Sequence, residues 1–251
     1  MKIIKLFINL ILSISTLSIF AEEPPYHGTI FLEPNIINSS DPSSFDSLNS
    51  IGKQEKTVFD RRVNNWTTIH AYLYKVIWKD DLSSIAVVNP EFTELQAKSE
   101  AKKYALLIGQ LPYILRKDIK EIWIHKGVEL FGGGNQSILI HTGQSSIYEK
   151  DGILEETLIH EAVHTSLDDE HSKSLDWLKA QKQDGNFIST YAKENPERED
   201  LAESFLLWLA LRFKLSKVSI ENQKIINKTI PSRLKYFDSK KFIISPITKP
   251  K

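Results

Sequence analysis

The 251-residue sequence contains no cysteine. This absence excludes disulfide bonds, a lipid anchor on cysteine and metal sites built from thiolates. A protein without these devices must depend on its hydrophobic core, or on a metal held by other side chains. The composition, 41% hydrophobic and 25% charged, is ordinary for a globular protein with a sizeable core and permits one domain or two.

An excess of charge of one sign is also missing. Lysine plus arginine and aspartate plus glutamate number 32 each, so the formal net charge is zero. Proteins that bind nucleic acid or anionic membrane surfaces usually carry clusters of basic residues. The sequence therefore predicts no nucleic-acid partner, and it does not indicate an oligomeric state.

Long hydrophobic runs are missing except at the N-terminus. There, Lys2 and Lys5 precede the mainly apolar residues 6–20, and Ala21 is followed by two glutamates and two prolines. This pattern predicts a signal peptide over residues 1–21, hence a secreted or periplasmic protein with no stable membrane insertion after cleavage. The run is shorter than the ~20 apolar residues of a comfortable membrane span. An uncleaved N-terminal anchor is the alternative.

The remaining sequence divides into an arm and a domain. Residues 22–56 are rich in Pro, Ser, Asn and Asp, which predicts a loop-rich N-terminal arm before a domain over residues 57–251. In that domain, β-branched and aromatic residues predict strands over 71–78, 85–88, 121–125 and 137–142. Apolar periodicity predicts helices over 91–110, 154–167, 172–182 and 196–213, the last with Asn195 and Pro196 as N-cap and first residue. Strands followed by helices indicate an α+β fold.

The predicted helix over 154–167 carries the run His160-Glu161-Ala162-Val163-His164. Histidines four residues apart project from one face of a helix, so they can bind one metal ion together. Zinc accepts neutral imidazole nitrogens and lowers the pKa of bound water to about 7. Glu161 is placed to act on that water as a general base. The apolar flanks predict a buried helix, where unpaired histidines would be costly.

A catalytic zinc site needs a third protein ligand. In an unbroken helix, Asp168 would lie about 12 Å along the axis from His160, too far to share an ion with both histidines. Glu199 and Glu203 open the predicted helix over 196–213 and share one of its faces. We therefore expect Glu199 to be the third ligand and Glu203 to orient a ligating histidine through its free nitrogen. Acidic residues at a helix N-terminus also favour the helix dipole without a metal, which is the alternative.

These two motifs, His160-Glu161-x-x-His164 and Glu199-x-x-x-Glu203, resemble those of the gluzincin zinc metallopeptidases. The runs Tyr191–Asn195 and Glu199–Phe205 are similar to the lethal-factor-type branch of that family. The resemblance covers about a quarter of the chain, roughly residues 154–213. It implies a zincin-like catalytic domain over residues 57–251, and a tyrosine before the glutamate ligand that stabilises the reaction intermediate. Tyr191 matches that position with one extra residue before Glu199.

The resemblance also implies that an edge of the sheet binds extended substrate, and residues 121–125 and 137–142 are the candidate edge strands. The glycines at 132–134 are expected in a hairpin turn between them. His125 and His141 are expected to be ordinary strand residues, because neither has metal-ligand spacing.

The sequence thus predicts a secreted zinc metallopeptidase that acts on a peptide or protein substrate. Zinc would be bound by His160, His164 and Glu199, with Glu161 as base and Tyr191 assisting. Two alternatives remain open. One is a non-catalytic binding protein on a zincin scaffold, and the other is a zinc hydrolase of a non-peptide substrate. The Glu22–Lys56 arm could also hold the enzyme latent.

Overall fold

The structure, a computed structural model, describes residues 23–27 and 35–248. The predicted signal peptide over residues 1–21 lies outside these ranges, so export stays a prediction. Within the two described ranges, no helix has both the length and the apolar character needed to cross a membrane.

A six-stranded mixed sheet forms the first half of the described chain, and helices follow, so the predicted α+β class is confirmed. The strands run in the order β1-β2-β3-β4-β6-β5 across the sheet. Only the β3–β4 and β4–β6 pairs are parallel, and the other three are antiparallel. The strands are β1 (Phe45–Asp60), β2 (Asn65–Trp78), β3 (Ser83–Val88), β4 (Glu121–His125), β5 (Gly132–Gly134) and β6 (Ser137–His141).

The first two strands form a hairpin much longer than the rest of the sheet. β2 pairs with β3 only as far as Tyr72, and its earlier residues continue with β1 to the turn at residues 61–64. Trp66 of this extension packs edge-on against Trp123 of β4, with ring centroids 5.4 Å apart. The extension therefore bends over the sheet and buries a second, smaller apolar cluster that includes Val58, Leu73 and Leu139.

The predicted loop-rich arm over residues 22–56 is wrong beyond residue 44, because β1 begins at Phe45. Residues 45–56 of β1 include several polar side chains. A strand accepts them here because this part of β1 is largely exposed. Loop character holds for the described residues 35–44, which are turns, bends and irregular structure.

Helices cover the other face of the sheet and enclose the main core. They are α1 (Glu94–Ile108), α2 (Tyr113–Arg116), α3 (Thr142–Asp151), α4 (Leu154–Ser166), α5 (Leu175–Asp184), α6 (Thr190–Glu194), α7 (Glu199–Phe213), α8 (Ile220–Thr229) and α9 (Pro231–Ser239). A π-helical turn at Asp168–Ser172 follows α4, and a 3-10 turn at Leu215–Lys217 follows α7. All four predicted helices are present with shifted ends.

Two of these helices lie at the centre of the core. All of α4 is buried except Glu161 and Thr165, and all of α7 except its last two residues. The predicted N-cap pair of α7 is wrong, because Asn195 and Pro196 precede the turn that leads into it. The Asn195 carbonyl accepts hydrogen bonds from the backbone N–H groups of Arg198 and Glu199, so Glu199 becomes the first helical residue.

The prediction that β4 or β6 lies at an edge of the sheet is also wrong. β4 is paired on both sides by β3 and β6, and β6 by β4 and β5, so neither can add a further strand. The edge is β5, formed by the three glycines assigned to a turn. The turn itself is Asn135 and Gln136, both with positive φ, as a two-residue hairpin requires.

Candidate metal centre

The side chains of His160 and His164 meet on the buried face of α4. They lie one helical turn apart, and both are more than 90% buried. Their Nε2 atoms are 3.2 Å from each other. Two imidazole nitrogens this close are held together only by a shared proton or by an ion that accepts both lone pairs.

The first residue of α7 completes the group. The Oε2 atom of Glu199 lies 3.2 Å from the Nε2 atoms of both His160 and His164. Because α4 and α7 pack against each other in the core, a carboxylate 35 residues after His164 reaches the two rings. Within the two described ranges, these residues are the only set of three or more His, Asp or Glu side chains whose ligand atoms lie within 4.8 Å of one another.

The three donor atoms form a triangle whose size fits zinc. Every side of the triangle is 3.2 Å long. Neighbouring ligands of a tetrahedral ion with bonds of 2.0–2.1 Å are separated by about 3.3 Å. Two imidazoles and one carboxylate are a donor set found in catalytic zinc sites, where the fourth position stays open. The residues present therefore fit a zinc ion.

The charges in this group stabilise one another. Burial raises the pKa of Glu199, but the hydrogen bonds from His160 and His164 outweigh it and hold that pKa well below the ordinary value. For His164, burial lowers the pKa, whereas hydrogen bonds to Asp168 and Glu199 raise it to about 9. Glu199 and His164 thus form an ion pair, and a metal bound here would replace the Nε2 proton of His164.

Outer carboxylates lie beside both rings, but only Asp168 forms a hydrogen bond with its histidine. The Oδ2 atom of Asp168 lies 2.8 Å from His164 Nδ1, so it accepts the Nδ1 proton, and Nε2 is the nitrogen whose lone pair would bind a metal. Glu203 lies on the other side, with Oε1 3.6 Å from His160 Nδ1, longer than a hydrogen bond. Its Oε2 atom accepts a hydrogen bond from Ser189 Oγ, which also caps α6.

A cavity of about 310 Å³ opens beside the three donors. Glu161 and Tyr191, the two predicted catalytic residues, line it together with His160, His164 and Glu199. Burial and the neighbouring Glu199 carboxylate raise the pKa of Tyr191 to about 12. The hydroxyl of Tyr191 therefore stays protonated near neutral pH and can donate a hydrogen bond into the cavity.

The edge strand β5 forms one wall of this cavity. Gly132 and Gly133 line it, and the backbone of Gly133 lies directly on α4. A Cβ atom on Gly133 would fall 1.9 Å from the carbonyl oxygen of Glu161. The contact is reinforced by Thr165 Oγ1, which accepts a hydrogen bond from the Gly134 N–H at 2.9 Å. Glycine is thus required for β5 to approach the helix.

Some residues at the site were not predicted from the sequence. Arg61, Tyr148 and Arg198 line the cavity, and Asp168 orients His164. Asp168 could have been found from its position four residues after His164. Arg61 comes from the hairpin turn far away in the sequence, and no local pattern marks it.

His125 and His141 end the neighbouring strands β4 and β6, opposite each other in register. Their rings stack with centroids 5.4 Å apart, and both are fully buried. Asn89 binds His125 Nδ1 at 3.0 Å, and His141 Nδ1 lies 3.0 Å from the Lys126 carbonyl. Burial lowers the pKa of His125 to about 4 and lowers that of His141 as well. The pair is not among the cavity-lining residues.

Comparison with known proteins adds no relative to this picture. No family model, no curated protein and no solved structure matches the chain significantly.

Proposed function

We propose that this protein is a zinc-dependent hydrolase that cleaves peptide bonds. The observation that carries the proposal is the 3.2 Å triangle of His160 Nε2, His164 Nε2 and Glu199 Oε2 at the wall of a cavity that also holds Glu161. A zinc ion bound by these residues would polarise the scissile carbonyl and lower the pKa of water. A purely structural zinc site usually fills its fourth position with a protein ligand and needs no base.

Glu161 is the general base in this proposal. It follows the ligand His160 directly and is one of two α4 residues that are not buried, because it faces the cavity. Its carboxylate takes a proton from the attacking water and passes it to the leaving amine. Tyr191 faces the same space and keeps its proton, so it can donate a hydrogen bond to the carbonyl oxygen as negative charge develops.

A peptide substrate is favoured by the strand that borders the cavity. β5 is paired only with β6, and the Gly133 carbonyl accepts a hydrogen bond from the exposed side chain of Arg198 at 3.4 Å. An extended substrate backbone that pairs with β5 would take the place of this side chain. Gly132 and Gly133 lie in the cavity wall, which would hold such a backbone next to Glu161. We propose that the fold is zincin-like, because a short edge strand of a mixed sheet, β5, lies against the helix that carries the two histidines, α4.

The decisive experiment compares two single variants with the wild-type protein. Metal content is measured first, and an unbiased peptide library is then digested. We expect about one zinc per chain and cleavage by the wild type. Glu161→Gln should keep zinc and lose turnover by at least about 100-fold, because only the proton acceptor is removed. His164→Ala should lose both.

Glu170→Gln is the matched control, since its carboxylate is 68% exposed and lies outside the cavity. It should keep both zinc and activity. Retained turnover in Glu161→Gln would contradict the mechanism. Zinc without cleavage by the wild type, also after trimming the N-terminal arm, would favour a binding protein or a hydrolase of another substrate.

A further inference from the structure

The turn of the long hairpin places one guanidinium in the cavity wall. Arg61 lies directly after β1 and reaches the cavity beside Phe131 and Gly132. Its Nη2 donates to the Phe131 carbonyl at 3.0 Å, which is the only hydrogen bond of this side chain within the two described ranges. Its Nε atom is buried there without a partner. Because Nε has no accessible surface, the Nη atoms are the donors that a ligand could contact, and Nη1 forms no hydrogen bond within the described ranges.

Arg61 forms no ion pair within the described ranges, although the carboxylate of Glu161 lines the same cavity. The acids nearest along the hairpin and loop, Asp60 and Glu91, both pair with Arg62, at 2.7 and 2.8 Å. The second guanidinium of the cavity, Arg198, differs because it lies 3.3 Å from Glu199 and is 59% exposed. Arg61 is thus the cavity cation whose charge remains available.

Arg61 is also fixed in position before any ligand arrives. The next residue, Arg62, donates hydrogen bonds to both carboxylate oxygens of Asp60 and, from Nη1, to Oε2 of Glu91. The Oε1 atom of Glu91 accepts a hydrogen bond from the backbone N–H of Lys126. The hydrogen bonds from Arg62 hold the pKa of Asp60 at about 2, against the opposing effect of its burial. The turn is therefore tied to the loop before β5. A guanidinium that is held in place loses little freedom when it binds a carboxylate.

We propose that Arg61 is a receptor for a substrate carboxylate and that the protein prefers substrates with such a group close to the scissile bond. Arginine binds carboxylates through paired N–H donors, and a partly enclosed cavity strengthens the interaction. This inference rests on the proposed function and names its substrate class.

The size of the cavity limits where the carboxylate can be. A compact space of about 310 Å³ is about 8 Å across, and an extended peptide advances about 3.3 Å per residue. Arg61 and Glu161 line the same space, so the carboxylate belongs to a residue within about two positions of the scissile bond. It can be an acidic side chain or the free C-terminus of a short peptide.

The test uses labelled pentaalanine peptides in matched acid and amide pairs. One pair carries a single Glu or Gln and has an amidated C-terminus, with the position of this residue varied. The other pair has no acidic side chain and ends in a free carboxylate or an amide. Cleavage is measured with the zinc-loaded wild type, and binding with zinc-loaded Glu161→Gln by fluorescence anisotropy. A preference in the first pair identifies a side chain, and one in the second identifies the C-terminus.

We expect the acid form to be bound and cleaved roughly 10- to 100-fold better than its amide, as for other charged hydrogen bonds. Arg61→Met should abolish this preference in both measurements, and Arg61→Lys should restore part of it. Arg212→Gln, which removes a guanidinium paired with Asp238 on α9, is the matched control and should keep the preference in full.

Equal use of acid and amide forms by the wild type would overturn the inference, even if the Arg61 variants fail to fold. So would an unchanged preference in a folded Arg61→Met protein. Binding that prefers the acid, without any cleavage by the zinc-loaded wild type, would overturn the proposed hydrolase and leave the carboxylate site standing.

Discussion

At the scale of single residues, the arrangement of protons on the two histidines decides whether the site can bind a metal. An imidazole offers a lone pair on Nε2 only when its proton is on Nδ1. Asp168 provides for this at His164, since its carboxylate accepts the Nδ1 proton at 2.8 Å. The carboxylate of Glu203 is more distant from the corresponding nitrogen of His160. We therefore expect Asp168 to matter more for metal affinity than Glu203.

Replacing Asp168 with asparagine should weaken zinc binding by roughly 10- to 100-fold, because the amide neither favours the correct tautomer as strongly nor raises the basicity of the ring. The measurement is a zinc titration against a competing chelator. Asp169→Asn is the matched control, because Asp169 is the next residue in the chain and is exposed. Equal affinities of the two variants would show that Asp168 does not orient the ligand.

Asp168 has a role that its spacing in the sequence does not indicate. An axial distance of about 12 Å in an unbroken helix excludes it as a ligand beside His160. However, α4 ends at Ser166, and the chain then folds so that Asp168 meets His164 on its Nδ1 side. Glu199 was predicted because its motif lies in one short run. Arg61 could not be, because only the packing of the hairpin brings it to the cavity.

At the scale of elements, the site depends on how α4 is held between β5 and α7. The start of α7 is fixed by Asp200. It is fully buried and accepts hydrogen bonds from Arg233 of α9 and Gln181 of α5, both at 2.8 Å. These anchors set the position of Glu199, one residue earlier. The other side of α4 is set by β5.

The strand β5 shows where pattern reasoning fails. The long helices and the apolar strands were predicted because their periodicity is strong. Gly132–Gly134 carries no strand propensity, and it forms a strand only because β6 pairs with it and glycine alone fits against α4. Information of this kind lies in tertiary packing and not in the local sequence.

Gly133→Ala tests the packing of β5 on α4. The added Cβ would lie 1.9 Å from the Glu161 carbonyl oxygen, a backbone atom, so strand and helix must separate. We expect a loss of unfolding free energy of about 3 kcal/mol or more, with weaker zinc binding, because α4 carries both histidines. Urea denaturation and zinc titration measure the two effects.

Gly134→Ala is the control for this variant. Its added Cβ meets nothing within 4 Å, and only its φ of +121° is unfavourable for a side chain. It should lose about 1–2 kcal/mol. If Gly133→Ala is no worse than this control, close packing of β5 against α4 is not required.

At the scale of the whole molecule, the long hairpin joins the sheet face to the cavity. Its turn carries Arg61 into the cavity wall, and the adjoining Arg62 lies above the buried pair of His125 and His141. The other charged groups facing this pair are Asp60, Glu91 and Glu129. A proton on either histidine would place a positive charge next to Arg62. The packing of the hairpin turn on this pair therefore requires both histidines to be neutral.

That dependence predicts a loss of stability in acid. Burial lowers the pKa of His125 to about 4 in the folded protein, against 6.5 ordinarily, and it lowers that of His141. Between these values the unfolded chain binds more protons, so the free energy of unfolding must decrease as the pH falls from about 6.5 towards 4. His125 alone accounts for about 2–3 kcal/mol between pH 7.5 and 4.5. Above about pH 7.5 it contributes almost no pH dependence, because the histidine is then neutral in both states.

Urea denaturation of wild type and His125→Gln at pH 7.5 and 4.5 measures this contribution. Glutamine can still bind Asn89 but does not titrate, so the variant should be less stable at pH 7.5 and should lose about 2–3 kcal/mol less on acidification. His70→Gln, on the exposed part of β2, should lose as much as the wild type. Because the proposed metal ligands are unchanged in all three proteins, the difference isolates His125. If His125→Gln and the wild type lose the same unfolding free energy between pH 7.5 and 4.5, other groups cause the loss. The packing of the hairpin turn then does not depend on a neutral His125.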